Sequence, residues 1–321
     1  MRFDSERLAQ LALLWSGLVG SAGLEKLIAA FGSARAALEA TADELLASGL
    51  RLTPQQARGI GGLRMRLSDY ESLWEEAERR YIHVVFRQDE RYPVPLREIP
   101  NPPWAVSVYG SWLNIDDPAV AIVGTRNATA DALALASELA ATCARRGVTV
   151  VSGLARGIDQ AAHRGALRAG GRTIAVVGCG LLAIDRRATG GLETEIASHG
   201  AVISEVGPYT EPSVPTLMAR NRLTSGLARA VVVVQSRSRG GALVTADYSR
   251  KQGRLVAAVP WPEDLPESAG TSMLLGEGAI PVRTPADIEK LLDQLASQRA
   301  PGPCSQERPA RQGKQLSLFD E

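Results

Sequence analysis

Cysteine and histidine are both scarce in this 321-residue chain. It contains three of each, and neither set is clustered. Dispersed cysteines, odd in number, exclude a disulfide framework and a zinc pattern, and they favour a reducing, cytoplasmic compartment. Three dispersed histidines argue against a multi-histidine metal site. We therefore expect neither disulfide bonds nor a bound metal.

Long apolar runs, aromatic residues and net charge are also low. No apolar run approaches the roughly 20 residues of a membrane helix, and the first residues lack the apolar core of a signal peptide. Aromatic residues make up 5% of the chain, so few side chains can stack on nucleobases. The formal net charge is +1, so a polyanion site must be a local basic patch. Neither a Walker lysine motif nor a dinucleotide fingerprint occurs, so we expect no cofactor.

Two apolar runs separated by a helical pattern organise the middle of the chain. The first, Ala119–Val123, ends in Gly124-Thr125-Arg126, and the second, residues 148–151, precedes a glycine-rich loop over residues 152–157. Continuous apolar strands that alternate with helices are typical of a parallel sheet covered on both faces. Because the alternation continues to Leu295, we predict an α/β fold with a Rossmann-like, doubly wound, mostly parallel sheet.

The loops after these two strands each carry glycine, a hydroxyl residue and an arginine. Ligands of parallel sheets bind beyond the carboxyl ends of the strands, where glycines permit close approach and helix N-termini favour anions. Arg126 and Arg156 can add forked hydrogen bonds to phosphate. The alternative is that the glycines only form tight turns and the arginines are solvated. Two such loops on consecutive strands favour the anion site.

Composition divides the chain into three parts. Residues 1–75 show short helical patterns with small-residue turns, which predict a SAM-like or helix-hairpin-helix domain. Such domains either contact DNA phosphates or only pack against neighbours, and we favour packing. Residues 76–296 form the α/β domain, in which the proline-dense segment 91–103 is expected to be extended or turning rather than helical. Residues 297–321 lack periodicity, which predicts a disordered tail.

An ordered series of motifs in the α/β domain resembles the DprA/Smf family of bacterial DNA-processing proteins. The series extends over most of the chain, which makes it far more specific than glycine-rich loops alone. In chain order, the motifs are Ile122-Val123-Gly124-Thr125-Arg126, residues 150–159 with Ala161-Ala162-His163, residues 173–181, Ser204-Glu205, Arg220-Asn221-Arg222, residues 253–260, and Gly270-Thr271 with Gly278-Ala279.

The resemblance implies a non-catalytic homodimer that binds single-stranded DNA. Such proteins protect incoming strands in natural transformation and assist loading of the RecA recombinase. The expected phosphate contacts lie in a basic pocket at the edge of the sheet. Transferred motif by motif, they are Arg126, Gly153, Arg156, Gly157, Arg220, Asn221 and Arg222, with Arg239 added from a basic loop.

The chain also departs from the family pattern. The serines of the family's SGSLITA loop are absent from residues 240–246, and a Phe-Pro pair is missing before Arg220. No winged helix, which many members carry, is expected after Leu295. Four arginines either replace these missing polar groups or are ordinary solvated charges, and both interpretations stay open. They are Arg186, Arg187, Arg237 and Arg239.

The last residues resemble a second, much shorter pattern. Gln315-Leu316-Ser317-Leu318-Phe319 is similar to the pentapeptide by which bacterial proteins bind the DNA polymerase sliding clamp. The resemblance implies polar contacts from Gln315 and apolar contacts from Leu318 and Phe319, with Leu316 also at the interface. The alternative is a frayed tail without a partner.

Enzyme chemistry is the competing interpretation. The nucleotide phosphoribohydrolases, a related Rossmann-like class, cleave nucleotides, and Glu205 at a strand end could serve as the acid. The PGGxGT-type motif of those enzymes is absent, and Ser152 lacks the flanking pattern of a nucleophile elbow. A lone His163 is more often a packing residue than a base. We therefore expect no catalytic residues.

Overall fold

The computed structural model describes residues 3–112, 116, 118–262 and 265–297, and within them the strands form a single nine-stranded sheet. The strands are β1 (Ile82–Phe86), β2 (Ala105–Gly110), β3 (Ala119–Val123), β4 (Thr149–Ser152), β5 (Thr173–Val176), β6 (Ala201–Ser204), β7 (Ala230–Val233), β8 (Leu255–Ala258) and β9 (Ile280–Pro281).

Helices surround the sheet and form the N-terminal part of the chain. The described α-helices are α1 (Ser5–Trp15), α2 (Ser21–Phe31), α3 (Ala34–Glu39), α4 (Ala42–Ala47), α5 (Pro54–Leu63), α6 (Leu67–Arg79), α7 (Val94–Arg97), α8 (Ala130–Arg145), α9 (Ile158–Arg168), α10 (Arg186–Thr189), α11 (Leu192–His199), α12 (Val214–Gly226), α13 (Gly241–Lys251), α14 (Ala269–Gly276) and α15 (Pro285–Ser297). No helix in the described ranges is both long and apolar enough to cross a bilayer.

The strand order confirms the predicted doubly wound sheet. It is β1-β2-β6-β5-β4-β3-β7-β8-β9, with β3 to β9 mutually parallel. Strand β2 is antiparallel to β6, and β1 is antiparallel to β2. The chain winds outward from β3 to β6 and then returns to lay β7 on the other side of β3. The carboxyl ends of β3 and β7 therefore flank the switch point, where such sheets bind ligands.

Burial on both faces explains why the central strands have continuous apolar sequences. In β3, Val120 and Ile122 pack in one core with residues of α8, α9 and α15. Ala119, Ala121 and Val123 point to the opposite face and share a core with residues of α12, α13 and α14. Side chains alternate between the faces of a strand, so every position of β3 has to be apolar.

The N-terminal helices have their own core, which extends onto the sheet. Leu11, Leu24 and Leu27 are fully buried in it together with Phe86 of β1. Helix α4 begins with a capping box, in which the side chains of Thr41 and Glu44 each accept a hydrogen bond from the backbone N–H of the other residue. Helix α6 continues to Arg79, past the predicted boundary at residue 75. The domain boundaries therefore stay predictions.

One local prediction was wrong. The proline-dense segment 91–103 contains the short helix α7, although we expected no helix there. Pro95 lies in the first turn of α7, where a helix leaves its backbone N–H groups unpaired, so the missing donor costs nothing. Leu96 of this turn is fully buried in the sheet core, and this tertiary contact stabilises the turn.

Candidate nucleic-acid interface

A cavity of about 410 Å³ lies at the switch point between the ends of β3 and β7. We call it the switch-point cavity. It is lined by Val123, Gly124, Thr125, Arg126, Ala155, Asp159, Val214, Leu217, Met218, Arg220, Asn221, Ser236, Arg237, Arg239, Gly240, Gly241, Ala242 and Thr245. These residues come from segments far apart in the chain, which the strand order brings together.

Tight loop packing sets the shape of the cavity floor. The Thr125 backbone N–H donates to the Gln235 carbonyl oxygen at 2.8 Å, and the Ile158 N–H donates to the Thr125 carbonyl oxygen at 3.3 Å. A Cβ on Gly157, where φ is +94°, would lie 2.4 Å from the same Thr125 oxygen. A Cβ on Gly124 would lie 2.5 Å from Ile158 Cγ1. These glycines therefore allow three loops to pack together.

Arg220 reaches the cavity as a buried guanidinium with few partners. Its residue is 7% exposed, and its Nη1 has one long hydrogen bond, 3.5 Å to Thr224 Oγ1. Its Nε has no partner among the described atoms. Burial lowers the pKa of Arg220 from its ordinary value, although the side chain keeps its charge at any physiological pH. A buried cation with unused donors is suited to bind an anion.

Gly153 makes room for this guanidinium. A Cβ built on Gly153 would lie 2.0 Å from Arg220 Nη1 and 2.6 Å from Arg220 Cζ. The sequence prediction gave Gly153 a phosphate contact of its own. The structure instead places it against the Arg220 side chain, and Gly153 is not among the residues that line the cavity. Its direct contact with DNA stays a prediction.

Asp159 is a cavity residue that the sequence prediction did not select. The residue is 5% exposed, and burial raises the pKa of its carboxyl, whereas the charge of Arg220 and hydrogen bonds from Ala155, Ser152 and Gly124 lower it. The Asp159 carboxyl is thus the acidic group of the cavity whose charge interacts with the buried Arg220 guanidinium. The need of a buried arginine for a counter-charge could have pointed to Asp159, which directly follows the second loop.

Arg126 and Arg239 stand exposed at the cavity mouth. Within the described ranges, neither side chain has a hydrogen bond or an ion pair. Asn221 is buried beside them, and its Nδ2 donates a long hydrogen bond of 3.4 Å to the Gly241 carbonyl oxygen. The cavity therefore unites four predicted site residues: Arg126, Arg220, Asn221 and Arg239.

The other arginines considered as compensating charges divide into two groups. Arg237 lines the cavity but pairs with Glu267 at 2.7 Å. Arg186 pairs with Glu193 at 3.3 Å, and neither Arg186 nor Arg187 is a lining residue. Of the four, Arg239 is therefore the side chain at the cavity without an ion pair in the described part of the chain.

Arg222 does not line the cavity with Arg220, although the sequence prediction placed both among the contacts of one basic pocket. Residues two apart on a helix point about 200° away from each other. The Arg222 Nη2 donates to Glu205 Oε2 at 2.6 Å, and both side chains are largely buried. Burial raises the pKa of Glu205, and Arg222 opposes that change.

This ion pair also weakens the enzyme interpretation. Glu205, the acid it needs, is not a lining residue of the cavity and is held by Arg222. His163 is fully buried, with Nδ1 2.7 Å from Thr173 Oγ1. Burial, followed by the charges of Arg220 and Arg164, lowers its pKa to about 3, so it is a neutral packing residue. Across the described ranges, no cluster of His, Cys, Asp and Glu could hold a metal ion.

Arg156 and Gly157 lie in a neighbouring groove rather than in the cavity. The groove has a volume of about 610 Å³, runs between α8 and α9, and shares Arg126 with the cavity. The exposed Arg156 donates from Nη2 to Asn127 Oδ1 at 3.0 Å. The residues predicted to bind a clamp, Gln315, Leu316, Leu318 and Phe319, lie outside the described residues.

Comparison with known proteins places this architecture in a family. The sequence model described as DNA recombination-mediator protein A matches residues 83–293, and one described as a DprA-like N-terminal HHH domain matches residues 4–58. Protein Smf of Synechocystis is 36% identical over 224 residues, which cover 68% of this chain. The same alignment covers 56% of that relative, so the match spans little more than half of its length.

Two solved structures share the fold. DNA processing protein A from Streptococcus pneumoniae superposes with a TM-score of 0.74 at 27% identity, covering 90% of this chain and 98% of that one. DNA processing protein A from Helicobacter pylori, described for its single-stranded DNA binding mode, superposes with a TM-score of 0.60 at 28% identity. That match covers 67% of this chain and 98% of the other. The chain therefore belongs to the DNA recombination-mediator protein A family, which includes the Smf and DprA DNA-processing proteins.

Proposed function

We propose that this protein binds single-stranded DNA and holds the phosphates of the strand in the switch-point cavity. The observation that carries the proposal is the buried Arg220 guanidinium, whose donors are largely unused, beside the exposed Arg126 and Arg239. The relative from Helicobacter pylori, which binds single-stranded DNA, supports the choice of ligand.

Charge favours a polyanion at this place. Of the described residues that line the cavity, four are arginines and one, Asp159, is acidic. Arg220 is buried, so its charge is stripped of most of its hydration, and a phosphate oxygen would restore hydrogen bonds to it. The chain as a whole is nearly neutral, so this attraction is local to the cavity.

The lining also indicates how the strand is recognised. The apolar residues of the cavity are aliphatic, with Val214, Leu217 and Met218 on one side, and no aromatic ring is among the described lining residues. Stacking on bases therefore contributes little, and phosphate contacts carry no sequence information by themselves. Binding should be tolerant of sequence and steeply dependent on salt.

The test is fluorescence anisotropy with labelled oligothymidylate over a range of salt concentrations. Removing both guanidinium groups in the Arg126→Ala/Arg220→Ala variant should abolish binding at moderate salt. The Arg126→Ala/Arg239→Ala variant alters only exposed side chains, so it tests the site without disturbing the core. It should reduce the slope of log K against log salt by roughly 0.7 for each phosphate that the variant no longer neutralises.

The matched control is the Arg91→Ala/Arg283→Ala variant. Both arginines are exposed, lie outside the switch-point cavity and the neighbouring groove, and have no side-chain partner in the described ranges. It removes the same charge and should leave affinity nearly unchanged. An equal fall in affinity in the control and in Arg126→Ala/Arg239→Ala would attribute binding to general charge and reject the cavity.

The partner assignments extend this proposal. RecA loading and homodimer formation rest on the family resemblance, and docking to the sliding clamp rests on Gln315, Leu316, Leu318 and Phe319. Deletion of residues 315–321 should abolish binding to the clamp in calorimetry while DNA affinity stays unchanged. Analytical ultracentrifugation and RecA filament assays on the same proteins test the other two assignments.

A further inference from the structure

The groove between α8 and α9 is lined by arginines that, apart from Arg126, do not line the switch-point cavity. We call it the α8–α9 groove, and its basic side chains are Arg126, Arg156, Arg164 and Arg168. All four are exposed. Arg164 and Arg168 were not selected from the sequence, and nothing in the switch-point cavity requires them.

The groove is basic without compensation. No Asp or Glu is among its described lining residues. Arg156 and Arg168 bond only to neutral groups, Asn127 Oδ1 and Ser137 Oγ, and Arg164 has no partner in the described part of the chain. Elsewhere, surface arginines such as Arg146 and Arg250 pair with carboxylates. The groove therefore concentrates unneutralised positive charge.

Close helix packing aligns these charges. A Cβ on Gly165 would lie 2.2 Å from the Ser137 carbonyl oxygen, so α8 and α9 approach within backbone contact. Arg164 and Arg168 are four residues apart on α9 and lie on the same face of it. Like charges at this spacing repel each other, and an anion lying along the helix would relieve that repulsion.

Arg126 connects the groove to the switch-point cavity, because it lines both. Helix α9 has 11 residues and so extends for about 16 Å away from this junction. We infer that a single strand leaving the cavity passes Arg126 and continues along the α8–α9 groove, with its phosphates on Arg156, Arg164 and Arg168. This inference rests on the proposed function and adds a second, extended part to the same site.

The groove suits a nucleic-acid strand better than an acidic protein segment. It is continuous with the phosphate-binding cavity, so one polyanion can occupy both without a break. Its apolar residues are small or aliphatic, such as Leu133, Ala134 and Ala161, and they offer no deep pocket for anchoring a protein side chain.

The experiment compares a short and a long ligand on the Arg164→Ala/Arg168→Ala variant. A trinucleotide fits the cavity alone, whereas an oligothymidylate of roughly 16 nucleotides can also follow the groove. Affinity for the long ligand should fall on the order of tenfold, and its salt slope should shrink by about 1.4, because two phosphates are no longer neutralised. Affinity for the trinucleotide should not change, and neither should the melting temperature.

The Arg91→Ala/Arg283→Ala variant, with the same net charge, should bind both ligands like the wild type. If the wild type binds neither ligand, the proposed function itself fails. If the wild type binds the long ligand and the groove variant binds it equally well, the cavity stands and the groove inference is overturned. Abolished polyglutamate binding with unchanged DNA affinity would also overturn it, by assigning the groove to an acidic protein segment.

Discussion

Replacing Gly153 by alanine tests how the site is built. The new Cβ would lie 2.0 Å from Arg220 Nη1, so the guanidinium has to retreat by about 1.4 Å to reach the 3.4 Å at which ordinary contact begins. Arg220 is only 7% exposed, so its side chain either strains its buried surroundings or swings toward the cavity mouth. Overpacking of this kind costs about 1–3 kcal/mol of unfolding free energy.

Gly153→Ala should also weaken DNA binding, because it displaces the Arg220 guanidinium from its position in the cavity. A charge-assisted hydrogen bond contributes about 2 kcal/mol, which corresponds to roughly 30-fold in Kd. We expect Gly153→Ala to weaken oligothymidylate binding by about that factor in anisotropy titrations, well below the melting temperature. Gly62→Ala is the matched control, because a Cβ at Gly62, in helix α5, meets no described atom within 4 Å beyond its chain neighbours and the backbone of its own helix.

A double-mutant cycle with Arg220→Ala decides between two roles of Gly153. If Gly153 acts by making room for Arg220, its replacement has no further effect on DNA affinity once Arg220 is absent. If Gly153→Ala weakens binding equally in both backgrounds, the glycine backbone contacts the strand directly. That result would refute the reasoning from the Arg220 contact.

Two further predictions concern the buried groups. The pKa of His163 falls from 6.5 to about 3 on folding, so below pH 6.5 the unfolded chain binds a proton that the folded chain does not, and this group should lower the free energy of unfolding by about 1.4 kcal/mol for each unit that the pH falls between 6.5 and 3. In urea unfolding at several pH values, the free energy of unfolding of His163→Gln should therefore decline less steeply with falling pH than that of the wild type. Parallel declines in the two proteins would contradict the pKa shift. Glu205→Ala leaves the Arg222 guanidinium buried without its carboxylate partner and should lower the free energy of unfolding by about 3 kcal/mol, while DNA affinity stays at the wild-type level. A large fall in the DNA affinity of the folded variant would instead indicate that the Arg222–Glu205 pair belongs to the DNA site.

Local sequence patterns were sufficient to predict most of the helices and strands. The apolar run Ala119–Val123 predicted a buried strand, and the short helical patterns of residues 1–75 predicted helices, both of which the structure confirms. Each depends on residues within a few positions of one another. The helix α7 in the proline-dense segment escaped prediction because burial of Leu96 against the distant sheet stabilises it.

The site was predicted only in part, for a similar reason. Arg126 follows the carboxyl end of β3, where the strand pattern predicted an anion site, and Arg220, selected from the family resemblance, lines the same cavity from helix α12. Composition alone could not separate the roles of Arg220 and Arg222. The rotation of helix α12 points them to opposite sides, so that Arg220 lines the cavity and Arg222 pairs with Glu205. Arg164 and Arg168 gave no local signal of a groove.

The amino-acid sequence by itself determined the alternation of buried strands and helices and the glycine-rich loops that follow the strands, because periodicity and turn chemistry act between near neighbours. Only the tertiary structure decided which charges remain unneutralised. That outcome depends on β7 returning beside β3, on Gly153 lying under Arg220, and on Gly165 bringing α9 against α8. Contacts between residues far apart in the chain set these pairings, and no local pattern encodes them.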